Sequence, residues 1–423
     1  MSKFTHLHSH SHYSLLNALP KIDDILKKAE EDKATAIALT DDGVMYGTIE
    51  FYKKAKKKNI KPIVGVDFYV ALRTRLDKQA RIDNKRYRLI LLAKNEKGYK
   101  NLMKLTSQAF IDGYYYKPRI DRELIEKYSE GLIAIIPHFS GETSAHLKLN
   151  NTIKAEEVFN FYSKIFKDDL YFEITHHPEI TGQDELKEKI INFAKEKKVK
   201  LVATSDFYYI EKEQKKARDT LTDIGSVRSG GGFHNETDDF SYKTEKEMIK
   251  NFSNISEAIS NTKEIEEKCN VELELGKWTF PALEKTDKSF DERLREWAFD
   301  GLKERGIEKD EKTIERLNYE LKVIADKGYS VYFLIVADFL REAKKRNILT
   351  SIRGSVAGSM TTFATGITHF NPFEYKLPFE RFLNPERPSA PDIDMDFASD
   401  GRDEMLAYAR EKYGTEKVAQ IGT

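Results

Sequence analysis

Short apolar runs alternate with amphipathic stretches through the first half of the chain, and this alternation restricts the fold more than any other feature. The amphipathic stretches carry apolar residues at helical spacing, whereas the short runs are rich in β-branched residues and predict strands. A strand-then-helix order predicts a parallel sheet with crossover helices. The predicted strands are residues 3–8, 36–40, 63–71, 88–93, 132–136, 170–174 and 201–204.

Acidic residues and histidines stand at the ends of these predicted strands or shortly after them. In parallel α/β barrels, the carboxyl ends of the strands hold the active site, and His with Asp is a ligand set for zinc, manganese or iron. Any single position can instead be a helix cap or part of a surface histidine strip, but repetition over several strands favours a metal centre, active or vestigial. The candidates are His6, His8, Asp41, Asp42, Asp67, His138, Glu173, His176, His177 and Asp206, and His10 and His12 continue the alternation begun by His6.

Residues 391–397 alternate acidic and apolar side chains over the length of a short strand. In an extended backbone, Asp392, Asp394 and Asp396 share one face, and the apolar residues between them share the other. Neighbouring carboxylates repel one another unless a cation lies between them, and Mg²⁺ prefers oxygen ligands. The alternative is an exposed edge strand whose acids are solvated.

Residues 353–359 consist of Arg353 followed by a run of small side chains. Small residues let backbone N–H groups and hydroxyls approach an anion, and a helix starting here would add its positive end. A helix-packing surface is the alternative for this run alone. A phosphate cradle followed by a carboxylate strand, however, is the combination that metal-assisted nucleotidyl transfer requires.

Composition excludes several classes of protein. The 423 residues allow two or three domains. Lys+Arg and Asp+Glu both number 70, so any nucleic-acid surface must be local. The single cysteine, Cys269, fits a reducing compartment. Because we find neither a signal-peptide core nor a run of membrane-spanning length, we expect a cytoplasmic protein that does not bind membranes.

Residues 353–359, 379–387 and 391–397, in this order and spacing, resemble the palm of the bacterial C-family replicative DNA polymerases. The resemblance implies template-directed nucleotidyl transfer with two Mg²⁺ ions, and primer-template DNA and dNTPs as substrates. It also implies a sliding clamp and other replisome subunits as partners. It assigns catalysis and palm Mg²⁺ to Asp392 and Asp394, and nucleotide binding to Arg353, Gly354, Ser355, Ser359, Arg381 and Arg387. Residues 381 and 387 can equally be ordinary surface arginines.

One departure concerns the cradle. The family more often has Gly-Pro-Gly before the arginine, where this chain has Thr350, Ser351 and Ile352. The lost glycines reduce backbone freedom at the bend toward the triphosphate.

The first half resembles the polymerase and histidinol phosphatase (PHP) domain found in the same polymerases. The expected fold is α/β: a seven-stranded PHP-type (β/α) barrel, a helical region, and a partial nucleotidyltransferase-like (polymerase beta-like) palm. We assign residues 1–271 to the PHP domain, with a barrel core at 1–210 and closing helices at 211–271, and residues 272–423 to the palm. Residues 228–239, with three glycines, predict an exposed loop.

The PHP resemblance implies a metal site with Zn²⁺ or Mn²⁺. At its ligand positions the chain keeps His6, His8 and Asp206, and has Asp42 for His, Asp67 for Glu and His138 for Cys. Asn17 replaces an aspartate, and Arg88 and Tyr208 replace histidines. Since a guanidinium repels metal ions and neutralises acids, we expect one ion or a salt-bridged remnant instead of a trinuclear centre.

The polymerase resemblance also implies a third catalytic aspartate from a later strand, which the chain, ending at Thr423, does not contain. We therefore expect a fragment that does not polymerise DNA alone. Two further functions remain open: a PHP-type phosphoesterase or 3′→5′ exonuclease, and a non-catalytic scaffold that binds a partner such as a proofreading subunit.

Overall fold

The computed structural model describes residues 3–226, 238–276, 279–280, 287–387 and 389–420. The chain forms two compact units, Met1–Glu274 and Leu275–Thr423, which are described separately below. Most of the loop predicted at 228–239 lies outside the described residues, and the domain boundary near residue 271 stays a prediction. None of the described helices has the length and apolarity needed to cross a membrane.

The first unit is built on one curled sheet. Its strands are β1 (Ala36–Leu39), β2 (Lys61–Ala71), β3 (Arg86–Ala93), β4 (Tyr114–Tyr115), β5 (Lys117–Ile120), β6 (Leu132–Ile136), β7 (Leu170–Ile174) and β8 (Lys200–Ala203). The order along the sheet is β4-β5-β2-β3-β6-β7-β8, and β1 pairs with β2. The α/β class and the curled, barrel-type sheet implied by the PHP resemblance are confirmed, with eight strands in place of the expected seven.

The sheet is not fully parallel, because β3 runs antiparallel to both of its neighbours, β2 and β6. The parallel sheet predicted from the strand-then-helix order is therefore interrupted at this strand, and again at the short β4, which is antiparallel to β5. The connection between β2 and β3 contains no helix, and antiparallel strands need no crossover helix to be joined.

The strand predicted at residues 3–8 is replaced by isolated bridges. His6 pairs with Ile37 of β1, and Ser9 pairs with Phe207, just beyond β8. Both bridges are parallel, so the N-terminal segment lies between the two sides of the curled sheet. This position brings its histidines to the ends of the strands.

Helices cover the outside of the sheet. They are α1 (Ile22–Glu31), α2 (Thr48–Lys57), α3 (Glu96–Ile111), α4 (Arg122–Lys127), α5 (Glu142–Lys148), α6 (Thr152–Phe166), α7 (Gln183–Lys197), α8 (Lys215–Ser226), α9 (Glu245–Asn251) and α10 (Ser256–Lys268). Along β3, Leu89 and Leu91 join the large cluster against these helices, whereas Ile90 and Leu92 join a second, smaller cluster with Cys269. Both faces of the strand are thus buried.

The second unit is mainly helical. It contains α11 (Phe290–Glu304), α12 (Glu311–Asp326), α13 (Ser330–Lys345), α14 (Met360–Ala364) and α15 (Arg402–Tyr413), with β9 (Thr350–Arg353) and β10 (Asp394–Phe397). Gly306 and Gly328 follow α11 and α12 with φ of 66° and 72°, the left-handed conformation that commonly ends a helix. At Gly301 of α11, a Cβ atom would lie 1.8 Å from the carbonyl oxygen of Ala364. The backbones of α11 and α14 are therefore in direct contact, which requires glycine at this position.

Candidate functional site

The acidic strand of the second unit has the two faces expected from its alternation. Asp392, Asp394 and Asp396 are exposed, whereas Ile393 belongs to the core and Met395 and Phe397 pack against it. The strand itself is shorter than the pattern suggested, because β10 begins only at Asp394.

Strand pairing brings the acids beside the small-residue run. β10 is antiparallel to β9, with Asp394 directly opposite Arg353 and Asp396 opposite Ser351. Gly354 follows β9 with φ of 93°, and no atom lies within 4 Å of the position its Cβ would occupy. An L-residue is strained at this dihedral, so the turn uses glycine for its backbone conformation and stays open toward solvent.

Arg353, the predicted phosphate cation, is engaged by the third acid. Its Nε atom lies 2.6 Å from Asp396 Oδ2, and its Nη2 donates to Asp396 Oδ1 at 3.1 Å. In the described part of the chain, the Asp392 and Asp394 carboxylates have no hydrogen bond or ion pair. These two acids are therefore the ones available to a cation.

Tyr332 of α13 lies against the start of the acidic segment. The N–H of Ile393 donates to Tyr332 Oη at 3.2 Å. Burial raises the pKa of Tyr332, and the negative charges of Asp392 and Asp394 raise it further. The phenol thus stays neutral beside the acids.

Ser359 does not face an open cradle. It is buried, and its hydroxyl donates to Glu320 Oε2 at 2.7 Å. The buried Glu320 carboxylate also accepts the N–H groups of Met360 and Thr361, at 2.9 and 2.8 Å. An acid of α12 therefore occupies the positive start of α14, where the sequence suggested a phosphate.

Arg381 and Arg387 remain without a defined role. Arg381 ends a 3-10 turn at Phe379–Arg381, and both arginines are exposed. Within the described residues neither side chain makes an ion pair or hydrogen bond, and their assignment to phosphate contacts stays a prediction.

A second cluster lies in the barrel. His8 Nε2 is 3.3 Å from both Asp67 Oδ2 and Asp206 Oδ1, and His10 Nε2 is also 3.3 Å from Asp206 Oδ1. Among the described residues, His8, His10 and Asp67 can bring one ligand atom each within 4.8 Å of one another. His10 was not among the residues assigned to this site.

Glu173 orients His8 from outside the cluster. Its Oε1 atom lies 2.7 Å from His8 Nδ1, and it also accepts the Thr204 hydroxyl at 2.6 Å. A carboxylate that accepts a hydrogen bond from Nδ1 keeps a proton on that nitrogen. The other nitrogen, Nε2, then faces the middle of the cluster, as in many metal-binding histidines. Burial opposes a charge on His8, but the charges of Asp206 and Glu173 outweigh it and raise its pKa.

Arg88 supplies a cation to the same cluster. Its guanidinium donates to Asp42 and Asp67, with Nε 2.8 Å from Asp67 Oδ2. Burial disfavours charge on these two acids, but Arg88 outweighs it and lowers the pKa of both. Arg88 thus does part of the neutralising that metal ions would do.

The other substituted positions fill the site with neutral groups. Tyr208 stacks on the His10 ring at 4.2 Å with an interplanar angle of 10°. Asn17 Nδ2 donates to Asp42 Oδ2 at 2.6 Å. Neither side chain offers the ligand that the PHP resemblance implies there.

Two residues assigned to the site lie apart from this cluster. His6 Nδ1 lies 3.2 Å from Ser205 Oγ, and its ring packs on Tyr242 with the ring centroids 4.4 Å apart. Burial lowers its pKa to about 3. His138 has Nδ1 2.7 Å from Thr175 Oγ1, and burial lowers its pKa to about 3 as well. The alternation His6–His12 indicated the right segment, but the pair that meets the acids is His8 and His10.

The residues present fit one metal ion and do not fit three. Asp67 Oδ1 is buried without a hydrogen-bond partner. His10 Nε2 and Asp206 Oδ1 lie 3.3 Å apart without hydrogen-bond geometry, and such atoms are suited to binding a metal ion. Asp42 and the second oxygen of Asp67 are held by Arg88, which leaves too few donors for a trinuclear centre.

The barrel with its histidine–carboxylate cluster and the unit with the exposed carboxylate strand each match a known domain. Residues 6–177 match the PHP domain, and residues 292–423 match the bacterial DNA polymerase III alpha NTPase domain. These two matches assign a PHP-like region to the first unit and a region similar to bacterial DNA polymerase III alpha subunits to the second.

Individual relatives agree with this assignment. The chain is 42% identical over 434 residues to the DNA polymerase III subunit alpha of Borreliella burgdorferi, covering 100% of this chain and 37% of that protein. It is 41% identical over 448 residues to that of Aquifex aeolicus, covering 100% and 38%. The chain thus spans well under half the length of these relatives.

Two solved structures resemble parts of the chain. An amidohydrolase from Chromobacterium violaceum is 14% identical with a TM-score of 0.31, covering 48% of this chain and 87% of that one. A metal-dependent phosphoesterase from Bifidobacterium adolescentis is 11% identical with a TM-score of 0.34, covering 58% and 96%.

Proposed function

We propose that this chain is part of a replicative DNA polymerase that adds dNMP units from dNTPs to a DNA primer under the direction of a template. One observation carries the proposal: the exposed Asp394 lies directly opposite Arg353, beside the open turn at Gly354. Carboxylates next to an open glycine turn are the groups needed to hold a cation and a triphosphate together.

Each group has a distinct role in this proposal. Asp392 and Asp394 hold divalent cations, for which Mg²⁺ is the preferred ion, and the cations offset charge on the triphosphate. Backbone N–H groups at Gly354 and Ser355 contact the phosphates, and Arg353 adds a positive charge. Ser359 is excluded from this set because Glu320 holds its hydroxyl.

The substrates and partners of the whole protein are proposed on the basis of the resemblance to the C-family polymerases. They are primer-template DNA, dNTPs, a sliding clamp and further replisome subunits. The charges of the chain balance, with 70 basic and 70 acidic residues, so contact with DNA depends on local positive surfaces.

Primer extension by the whole protein tests the role of the acids. Asp392→Asn and Asp394→Asn should each lower nucleotide incorporation by at least about a hundredfold, because the cation loses a charged ligand. Asp400→Asn, an exposed acid just after β10, is the matched control and should keep its activity. Mn²⁺ titration of residues 1–423 should show weaker binding in the first two variants; unchanged binding and incorporation would contradict the proposal.

For the barrel, we propose a site for at most one Zn²⁺ or Mn²⁺ ion and no exonuclease activity. The support is the engagement of Asp42 and Asp67 by Arg88, since a guanidinium in the pocket offsets the charge that would attract further ions. His8, His10, Asp67 and Asp206 would hold the ion, whose charge would offset that of the buried carboxylates. Elemental analysis and a nuclease assay with Mn²⁺ test this; three ions per chain with DNA hydrolysis would overturn it.

A further inference from the structure

Three cations surround one tyrosine at the mouth of the barrel. The distances from the centroid of the Tyr69 ring are 4.2 Å to Arg88 Cζ, 5.3 Å to Arg86 Cζ and 5.7 Å to Lys117 Nζ. Alternate residues of a strand share a face, so Arg86 and Arg88 lie on the same face of β3 as the buried Ile90. The face is therefore positively charged at the start of β3, where Arg86 and Arg88 lie.

Only one of these cations is neutralised. Arg88 is paired with Asp42 and Asp67. In the described residues Arg86 and Lys117 have no acidic partner, and the Arg86 guanidinium donates only to the carbonyl of Asn84, at 2.8 Å. Burial lowers the pKa of both groups, and the positive charge of Arg88 lowers it further, although the nearby Asp42 carboxylate acts in the opposite direction. An anion placed here would relieve this repulsion.

An aromatic surface adjoins the cations. Tyr46, Phe110 and Tyr114 are 56%, 36% and 52% exposed. The Phe110 ring lies 6.1 Å from Tyr114 at an angle of 24°, and 6.5 Å from Tyr46. Large exposed aromatic groups of this kind mark interaction sites more often than scattered apolar residues do.

One cavity connects the two features. It has a volume of about 230 Å³ and is lined by Lys117 and Tyr69 together with Tyr46, Phe110 and Tyr114. Asp42 also lines it, with its carboxylate held by Arg88, whereas Arg86 lies outside the lining, beside the Tyr69 ring. Ligand pockets commonly hold about 300 Å³ or more, so this cavity takes one flat ring and one charged group and excludes a duplex. Unpaired cations next to stacking surfaces are the chemistry that binds single-stranded nucleic acid.

We propose that this pocket binds a single nucleotide unit, with its base against Phe110 and Tyr114 and its phosphate on Lys117, in the positive field to which Arg86 contributes. The unit is either a free nucleoside monophosphate or the end of a single strand. The site requires no metal and involves no bond cleavage. It lies in the first unit and is independent of nucleotidyl transfer in the second.

Fluorescence anisotropy of residues 1–423 with a labelled ten-nucleotide oligothymidylate tests the proposal. Phe110→Ala should weaken binding about fivefold or more, the usual effect of losing one stacking surface. Lys117→Gln should weaken binding and reduce the slope of log affinity against log salt by about one, and Arg86→Gln should act in the same way.

Matched controls come from the same helix. Ile111→Ala removes an apolar side chain that is 72% exposed next to Phe110. Lys104→Gln removes a lysine that lies 5.4 Å from the Tyr128 ring, away from the pocket. Both should bind like the parent chain, and thermal melts establish that every variant is folded.

Competitors identify the ligand. Displacement of the oligonucleotide by thymidine monophosphate shows that a free nucleotide suffices, whereas retained binding in its presence assigns the site to a strand end. Equal displacement by inorganic phosphate or a polyglutamate peptide would show a site for charge alone and overturn the proposal. Absence of oligonucleotide binding, or equal binding by the pocket variants and their controls, would overturn it too.

Discussion

Arg353 and Asp396 form a two-contact ion pair across the strand pair β9–β10, with Nε–Oδ2 at 2.6 Å and Nη2–Oδ1 at 3.1 Å. The two side chains are 68% and 48% exposed. Exposed pairs contribute only about 0.2–1 kcal/mol, so this one can open at little cost. In the proposed polymerase, Asp396 competes with the triphosphate for Arg353.

Removing this competitor should strengthen nucleotide binding. Asp396→Asn leaves Arg353 without its partner, so the KM for dNTP of the whole protein should fall about two- to fivefold, the equivalent of one exposed ion pair. The turnover number should change little. Asp400→Asn is the control, and an unchanged KM for dNTP in Asp396→Asn would rule out the competition.

Glu320 should be important for the stability of the second unit. Its carboxylate is 0% exposed and accepts the Ser359 hydroxyl and two N–H groups at the start of α14, and Arg316 Nε lies 2.6 Å from Oε1. Glu320→Gln replaces one acceptor by a donor and removes the carboxylate partner of Arg316, which keeps only the carbonyls of Gly358 and Leu377. We expect a loss of about 3 kcal/mol in the free energy of unfolding.

Urea denaturation measures this loss through the unfolding transition of the second unit. Glu315→Gln, an exposed acid on the same helix, should change the free energy of unfolding by less than about 0.5 kcal/mol. Equal stability of the two variants would mean that Glu320 does not hold the turn.

Asp41 should make stability depend on pH. Burial raises its pKa to about 6, although hydrogen bonds from Ser14 and Ser11 oppose the rise. The folded state therefore binds a proton more readily than the unfolded state, whose pKa for this acid is near 3.8. The contribution of Asp41 is largest below about pH 4 and decreases as the pH rises to about 6, by about 3 kcal/mol in total.

Unfolding free energies at pH 4 to 7 test the sign of this dependence. Asp41→Asn cannot titrate, so its stability relative to the parent chain should improve as the pH rises through this window. Glu126→Gln, an exposed acid of α4, should follow the parent at every pH. A constant difference between Asp41→Asn and the parent would contradict the prediction.

Arg88 should limit how many metal ions the barrel accepts. Arg88→His removes the cation from Asp42 and Asp67 and adds an imidazole, so the number of Zn²⁺ or Mn²⁺ ions per chain should increase by at least one. Elemental analysis after dialysis measures it. Arg122→His, on α4 and paired with Glu142, is the control, and equal metal content in the two variants would show that Arg88 does not exclude metal.

Local periodicity accounts for what could be predicted. The predicted strands at 132–136 and 170–174 match β6 and β7, and the alternation at 391–397 placed the acids and apolar residues on opposite faces. In each case the pattern within one segment determines which side chains avoid water. The resemblance to PHP domains and C-family polymerases likewise depended on short motifs.

The tertiary structure alone decided which distant groups meet. His8 contacts Glu173, which is 165 residues away in the sequence. His6, from the same alternating segment, packs among aromatic rings instead. Glu320 occupies the start of α14 from another helix, and Asp396, not a phosphate, holds Arg353. Pairings over such sequence separations depend on how whole elements pack, because side-chain spacing within a segment specifies a face but not the partner that covers it.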